Sequence, residues 1–272
     1  MLLQEPPYTR YDLHFSLAGV PVRVHPLFWL VAFFMSVRDG LQQVQWQPLV
    51  ISMGVLFFSI LIHEFGHALA YRRFHYEPRI VLHWLGGLAT ADMTYSVSPP
   101  RGKRLMRICL AGPIAGFVLA AVTVAVLFAI GRQIDFMGWT VGRGQPFEAT
   151  SVGYNLYTLF YSLLFVNVLW GLVNLLPVFP LDGGQISREA FQMRLGGEGV
   201  LTALKLSMVV AILTAVVFFL WLGFKDGLFP LLLFGSLAYG NYREAQFLIQ
   251  HGQYGDDDEG ESWRRGRGDR EW

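Results

Sequence analysis

Apolar residues in this chain gather into long runs instead of alternating with polar ones, and short polar or Gly/Pro-bearing stretches separate the runs. Runs of about 20 such residues match the ~30 Å hydrocarbon core of a bilayer. The pattern predicts spans at Pro26 to Val37, Gln47 to Tyr71, Leu105 to Ile130, Val152 to Leu176, Val200 to Phe224 and Leu228 to about Tyr239, the last continuing as helix to Ile249. The first run is short for a crossing, so it borrows flanking residues or enters obliquely. Within an N-terminal surface segment, residues 1–24, Leu13, Phe15 and Leu17 alternate loosely with His14 and Ser16, which predicts a short strand or amphipathic segment. Glu77 to Thr94 reads as two β-prone stretches about Gly86-Gly87, a hairpin over 79–95. Such a hairpin must be buried in protein or line a wet cavity, because an unpaired edge cannot face lipid. Its edge around Ile80 to Leu85 could take up an extended peptide. Residues 131–150 read as a polar loop and Ile186 to Leu195 as a short amphipathic helix. Residues 251–272, acidic then basic, read as a disordered tail. The fold class expected is an all-α polytopic membrane protein of about six transmembrane helices with a short membrane-associated β-hairpin, forming one domain over residues 25–250.

Composition supports the bilayer. Of 272 residues 53% are hydrophobic and 15% charged, against the roughly 25% charged of a soluble domain. A net charge of +1 gives no basis for a nucleic-acid partner. Cys109 is the only cysteine, which excludes an intramolecular disulfide and a Cys-based zinc site. Residues 1–23 lack the pattern of a cleavable signal peptide. Arg72, Arg73, Arg79, Arg101, Lys103, Arg104 and Arg107 lie between the second and third runs, whereas the next connection offers only Arg132 and Arg143. The bias of basic residues toward the cytoplasm puts the 72–107 connection there, and six spans then put both termini there too.

The chemistry concentrates at His63-Glu64-Phe65-Gly66-His67, near the end of the span 47–71. On a helix the two histidines lie one turn apart on one face and can reach one ion. Glu64 is about 100° round from His63, close enough to take a proton from an attacking water. This is the H-E-x-x-H pattern of zinc peptidases. Histidines and a carboxylate in an apolar helix need partners, since burying them unpaired costs several kcal/mol. A catalytic zinc site requires a third protein ligand. Asp92, His75, His83, Asp182 and His25 are the candidates. Asp182 ranks first, because it ends the span 152–184 in a Pro/Gly-interrupted segment; a turn or N-cap role for it is equally compatible with the residues alone.

The two motifs His63-Glu64-Phe65-Gly66-His67 and Asn174-Leu175-Leu176-Pro177-Val178-Phe179-Pro180-Leu181-Asp182-Gly183-Gly184 together resemble the paired signature of the site-2 protease family, H-E-x-x-H followed by N-x-x-P-x-x-x-x-D-G. The Gly86-Gly87 hairpin and the Ala111-Gly112-Pro113 segment are similar to that family too, although its commoner form has Asn where this chain has Gly116. The resemblance covers roughly residues 20–240 and is to the compact members, without a PDZ insert or a C-terminal regulatory domain. It implies Zn2+ held by His63, His67 and Asp182, Glu64 as general base, and Asn174, Gly86 and Gly87 at the substrate. Asn174 is equally readable as a helix-packing amide. The implied substrate is a membrane protein cut within or beside a transmembrane segment in the bilayer. Two other classes compete. A metal-ion transporter would carry polar residues on across the bilayer, where the far halves of these spans are apolar. A non-catalytic membrane adaptor would not require Glu64.

Overall fold

A computed structural model describes residues 5–37, 45–84, 86–92 and 98–265. The chain forms two compact units, one ending at Leu175 and the other starting at Leu176.

The first unit opens with two strands, β1 (Leu13–Leu17) and β2 (Val20–Val24). They turn through Ala18 and Gly19, whose φ values of 48° and 76° suit a two-residue hairpin. Helix α1 (Pro26–Ser36) follows, with Pro26 in its first turn and His25 as its cap, the imidazole Nδ1 accepting from the Leu27 amide at 3.2 Å. Next come α2 (Trp46–Arg73), β3 (Glu77–His83), β4 (Gly86–Asp92) and α3 (Lys103–Ala129). The four strands form one sheet in the order β1-β2-β3-β4, with β2 parallel to β3 through Val22–Ile80 and Val24–Leu82. Val20, Val22, Val24, Ile80 and Leu82 are buried in one cluster with Phe28, Leu56, Ile60 and Ala68, so the sheet seats its apolar face on α1 and α2.

The sheet corrects two expectations. Strand β3 is interior, hydrogen-bonded to β2 on one side and β4 on the other, so Ile80 to Leu82 offer no edge to a peptide. Among the described residues β4 pairs only with β3, and the outer edge is its own. Nor do Gly86 and Gly87 form the turn. They open β4, opposite His83 and Leu82, and the turn passes through Trp84, with Leu85 outside the described residues.

Residues 131–150, expected as a loop, fold into β5 (Arg132–Phe136), β6 (Trp139–Gly142) and β7 (Gln145–Pro146), ordered β6-β5-β7. Left-handed φ values at Met137 and Gly138 make a tight turn there. The fold class is therefore not all-α: a mostly helical chain carries two small sheets. Helix α4 (Ser151–Phe165) widens into a π-helical turn at Val166–Trp170 and ends as α5 (Gly171–Asn174).

The second unit contains α6 (Asp182–Leu195) and the long α7 (Glu198–Arg265), interrupted at Gly223 with φ 76° and ψ −177°. Both sides of that break correspond to the fifth and sixth expected runs. The last helix extends to Arg265, and residues 266–272 lie outside the described residues.

Among the described residues four helical stretches are long and apolar enough to cross a membrane: Trp46–Arg73, Lys103–Ala129, Ser151–Asn174 and Glu198–Phe224. The two other expected runs do not reach that standard. Helix α1 has 11 residues where a crossing takes about 17–25. Beyond Gly223, α7 carries Lys225, Asp226, Arg243 and Glu244.

Candidate metal centre

Helix α2 keeps its register through the motif, and His63, Glu64 and His67 are all buried. The Nε2 atoms of His63 and His67 stand 3.2 Å apart. Two nitrogens about 2.0–2.1 Å from one tetrahedral ion would be separated by roughly 3.3 Å, so this spacing is that of a ligand pair. On the far side of the His67 ring, Nδ1 lies 2.7 Å from the Ile108 carbonyl of α3. A carbonyl only accepts, so Nδ1 carries the proton and Nε2 keeps its lone pair.

Close helix contact makes this possible. Helix α3 meets α2 at Gly66, where a Cβ would run into the Ala111 carbonyl and come within 2.9 Å of the Ala115 methyl. At Gly112 a Cβ would strike His67 Nε2 and lie 2.8 Å from His63 Nε2. Gly116, one turn on, meets Asn167 only at an ordinary 3.5 Å. The small-residue spacing at Gly112 and Gly116 signals helix packing, but nothing in it says that Gly112 abuts the imidazoles. Lower on α2, Ser59 receives a 2.8 Å hydrogen bond from the Asn167 amide of the π-helical turn, which ties α4's continuation to the helix bearing the motif.

Glu64 faces the start of β4: a Cβ at Gly87 would collide with its side chain. Gly86, at φ 120°, would bring a Cβ to 3.1 Å from the Trp170 ring. Asn174 is buried, and its amide donates to the Trp170 carbonyl one turn back at 3.0 Å, which is the helix-internal bond of a packing amide.

Asp182 is the first residue of α6, and it is buried. The segment before it is pinned by α7. The Phe179 amide donates to Ser207 Oγ at 3.1 Å, Ser207 Oγ donates to the Pro177 carbonyl at 3.1 Å, and the Asn241 amide donates to the Phe179 carbonyl at 2.6 Å. Gly184 has no room for a side chain against Val178 and Phe179. Sequence reasoning missed Ser207 and Asn241; two polar residues in otherwise apolar runs were their only signal.

His63 and His67 in the first unit and Asp182 in the second are buried side chains of the kinds that could hold a metal ion. The donor set fits zinc, which takes imidazole nitrogen and carboxylate oxygen. Of the other candidates, Asp92 ends β4 opposite Glu77, and the remaining three are histidines. His25 caps α1, His83 is buried in β3, and His75 is exposed on a left-handed φ of 64°.

Comparisons with known proteins bear on the family. In curated sequences, zinc metalloprotease MJ0392 of Methanocaldococcus jannaschii is 28% identical over 186 residues, 67% of this chain and 46% of that protein. The putative zinc metalloprotease Rip3 of Mycobacterium tuberculosis is 34% identical over 146 residues, 54% of this chain and 32% of that one. The chain thus spans less than half the length of these relatives. Among solved structures, the site-2 protease from Methanocaldococcus jannaschii matches with a TM-score of 0.50 at 23% identity, over 86% of this chain and 95% of that one, a likeness of fold. The model of peptidase family M50 matches residues 51–220, a stretch that contains both histidines, Glu64 and Asp182. With a family match that covers more than half of its length, the chain belongs to peptidase family M50.

Proposed function

We propose that this protein is an intramembrane zinc metalloendopeptidase that hydrolyses a peptide bond within or next to a transmembrane segment of a membrane protein. Zinc would be held by His63, His67 and Asp182. The observation that carries the reading is the buried His63/His67 pair, its Nε2 atoms 3.2 Å apart, in a helix otherwise apolar enough to cross a membrane. When bound, the ion lowers the pKa of water toward ~7 and polarises the scissile carbonyl. The protein supplies the rest. Ile108 fixes the His67 tautomer, Glu64 takes a proton from the attacking water, and it returns one to the leaving amine. Gly87 lets the backbone of β4 approach Glu64, so a peptide paired along the outer edge of β4 would lie beside the base. Such pairing satisfies the amides that a helical substrate exposes when it unwinds.

The finer topology belongs to the same reading: six spans, with α1 entering obliquely and α7 crossing again beyond Gly223, and both termini in the cytoplasm by the excess of basic residues at 72–107. Glu64→Gln in purified, bilayer-reconstituted protein is expected to reduce cleavage of a membrane substrate by about 10²–10⁴-fold with zinc content unchanged. Asp182→Ala is expected to lower zinc content itself. Cleavage persisting in the Glu64→Gln protein would overturn the reading.

A further inference from the structure

Where α2 ends and α3 begins, a recess of about 550 Å³ is lined by Ala70, Arg73, Phe74, His75, Arg104 and Arg107. It holds three guanidinium groups and no carboxylate. Among the described residues none of the three arginines forms an ion pair. Arg104 is positioned, with Cζ 5.5 Å from the Phe74 ring centroid and Nη1 3.5 Å from the buried Tyr76 hydroxyl. The Tyr76 hydroxyl in turn donates to the Ser98 carbonyl at 3.0 Å. Helix α3 also starts without an acidic residue in its first turn, and it carries Lys103 and Arg104 there instead. Cations at a helix N-terminus oppose its dipole, so an anion seated among them relieves both repulsions at once.

We infer that this recess binds the phosphate of an anionic phospholipid headgroup. The lipid is favoured over a free ion by position. Trp46–Arg73 and Lys103–Ala129 are both apolar enough to cross the membrane, and the recess lies where one ends and the other starts, which for two crossing helices is headgroup level. Arg104 and Arg107, one turn apart, present planar donor forks suited to two phosphate oxygens, and the stems and Phe74 give an apolar floor beside acyl chains. The inference is independent of the peptidase reading.

The test is native mass spectrometry of the full chain released from nanodiscs of phosphatidylcholine with or without phosphatidylglycerol. One phosphatidylglycerol should be retained in preference to phosphatidylcholine. Replacing two guanidinium groups by neutral amides, Arg104→Gln with Arg107→Gln, should weaken retention roughly thirtyfold. Melting in pure phosphatidylcholine discs, unchanged in this variant, checks its fold. On the wild type alone, raising sodium chloride from 50 to 500 mM should release the lipid, and millimolar inorganic phosphate should not displace it. Equal retention of both lipids, retention indifferent to salt, retention unchanged in a folded variant, or displacement by millimolar phosphate would each overturn the assignment.

Discussion

Gly87 and Gly112 each bring a backbone against a reactive side chain, Glu64 in one case and the His63/His67 pair in the other. They separate two functions that share a few ångströms. In Gly87→Ala the new methyl displaces the Glu64 carboxylate and leaves the imidazoles alone; cleavage should fall about 10²-fold, the order expected for a misplacement near 1 Å, with zinc content intact. In Gly112→Ala the methyl meets His67 Nε2, so zinc content should fall along with activity. Measuring bound zinc and cleavage on the same preparations distinguishes them. At this scale the sequence was legible where helical spacing decides: His63 and His67 do lie one turn apart with their Nε2 atoms together, and Glu64 is buried beside them. It was opaque where the requirement is an absence. A glycine records that something comes close but not what, and the Ile108 carbonyl that orients His67 leaves no trace in side-chain identity.

Elements were legible in proportion to how local their cause is. The apolar runs 47–71, 105–130, 152–176 and 200–224 returned as helices because length and hydropathy are properties of the run itself. Strands β5, β6 and β7 were missed because their pairing partners lie within a polar stretch with little alternation. The place of β3 inside its sheet depends on β2, from which α1 and α2 separate it in the chain. That interior place has a titration consequence. Burial lowers the pKa of His83 from its ordinary 6.5, the charges of His25 and Arg23 lower it further, and Glu5 opposes them. On acidification the unfolded chain therefore takes up this proton first. The contribution of His83 to stability should be complete above about pH 6.5 and decline as the pH falls below it toward the folded value. Melting temperatures from pH 8 to pH 5 should fall more steeply in the wild type than in His83→Gln.

For the molecule as a whole, bound metal should contribute to stability as well as to chemistry. With free zinc at 100 times its dissociation constant the folded state gains about 2.7 kcal/mol. A chelator strong enough to strip the ion should lower the melting temperature by several degrees and abolish cleavage, and adding zinc back should restore both. The same treatment of Asp182→Ala should shift its melting temperature far less. The family was legible from the whole sequence, since two separated motifs mark it within long apolar runs. The length of the first apolar helix was not, because hydropathy cannot tell an 11-residue helix from a span whose flanks complete it.

The exclusion of β3 from the rim of its sheet limits how a substrate could be read. A polypeptide laid along β4 would face it through alternate backbone groups, so its side chains would point in turn toward the enzyme and away from it. Discrimination would then follow a two-residue rhythm counted from the level of Gly87. The scissile position would be chosen by how far a segment has uncoiled and slid into register, and only secondarily by which amino acids flank it.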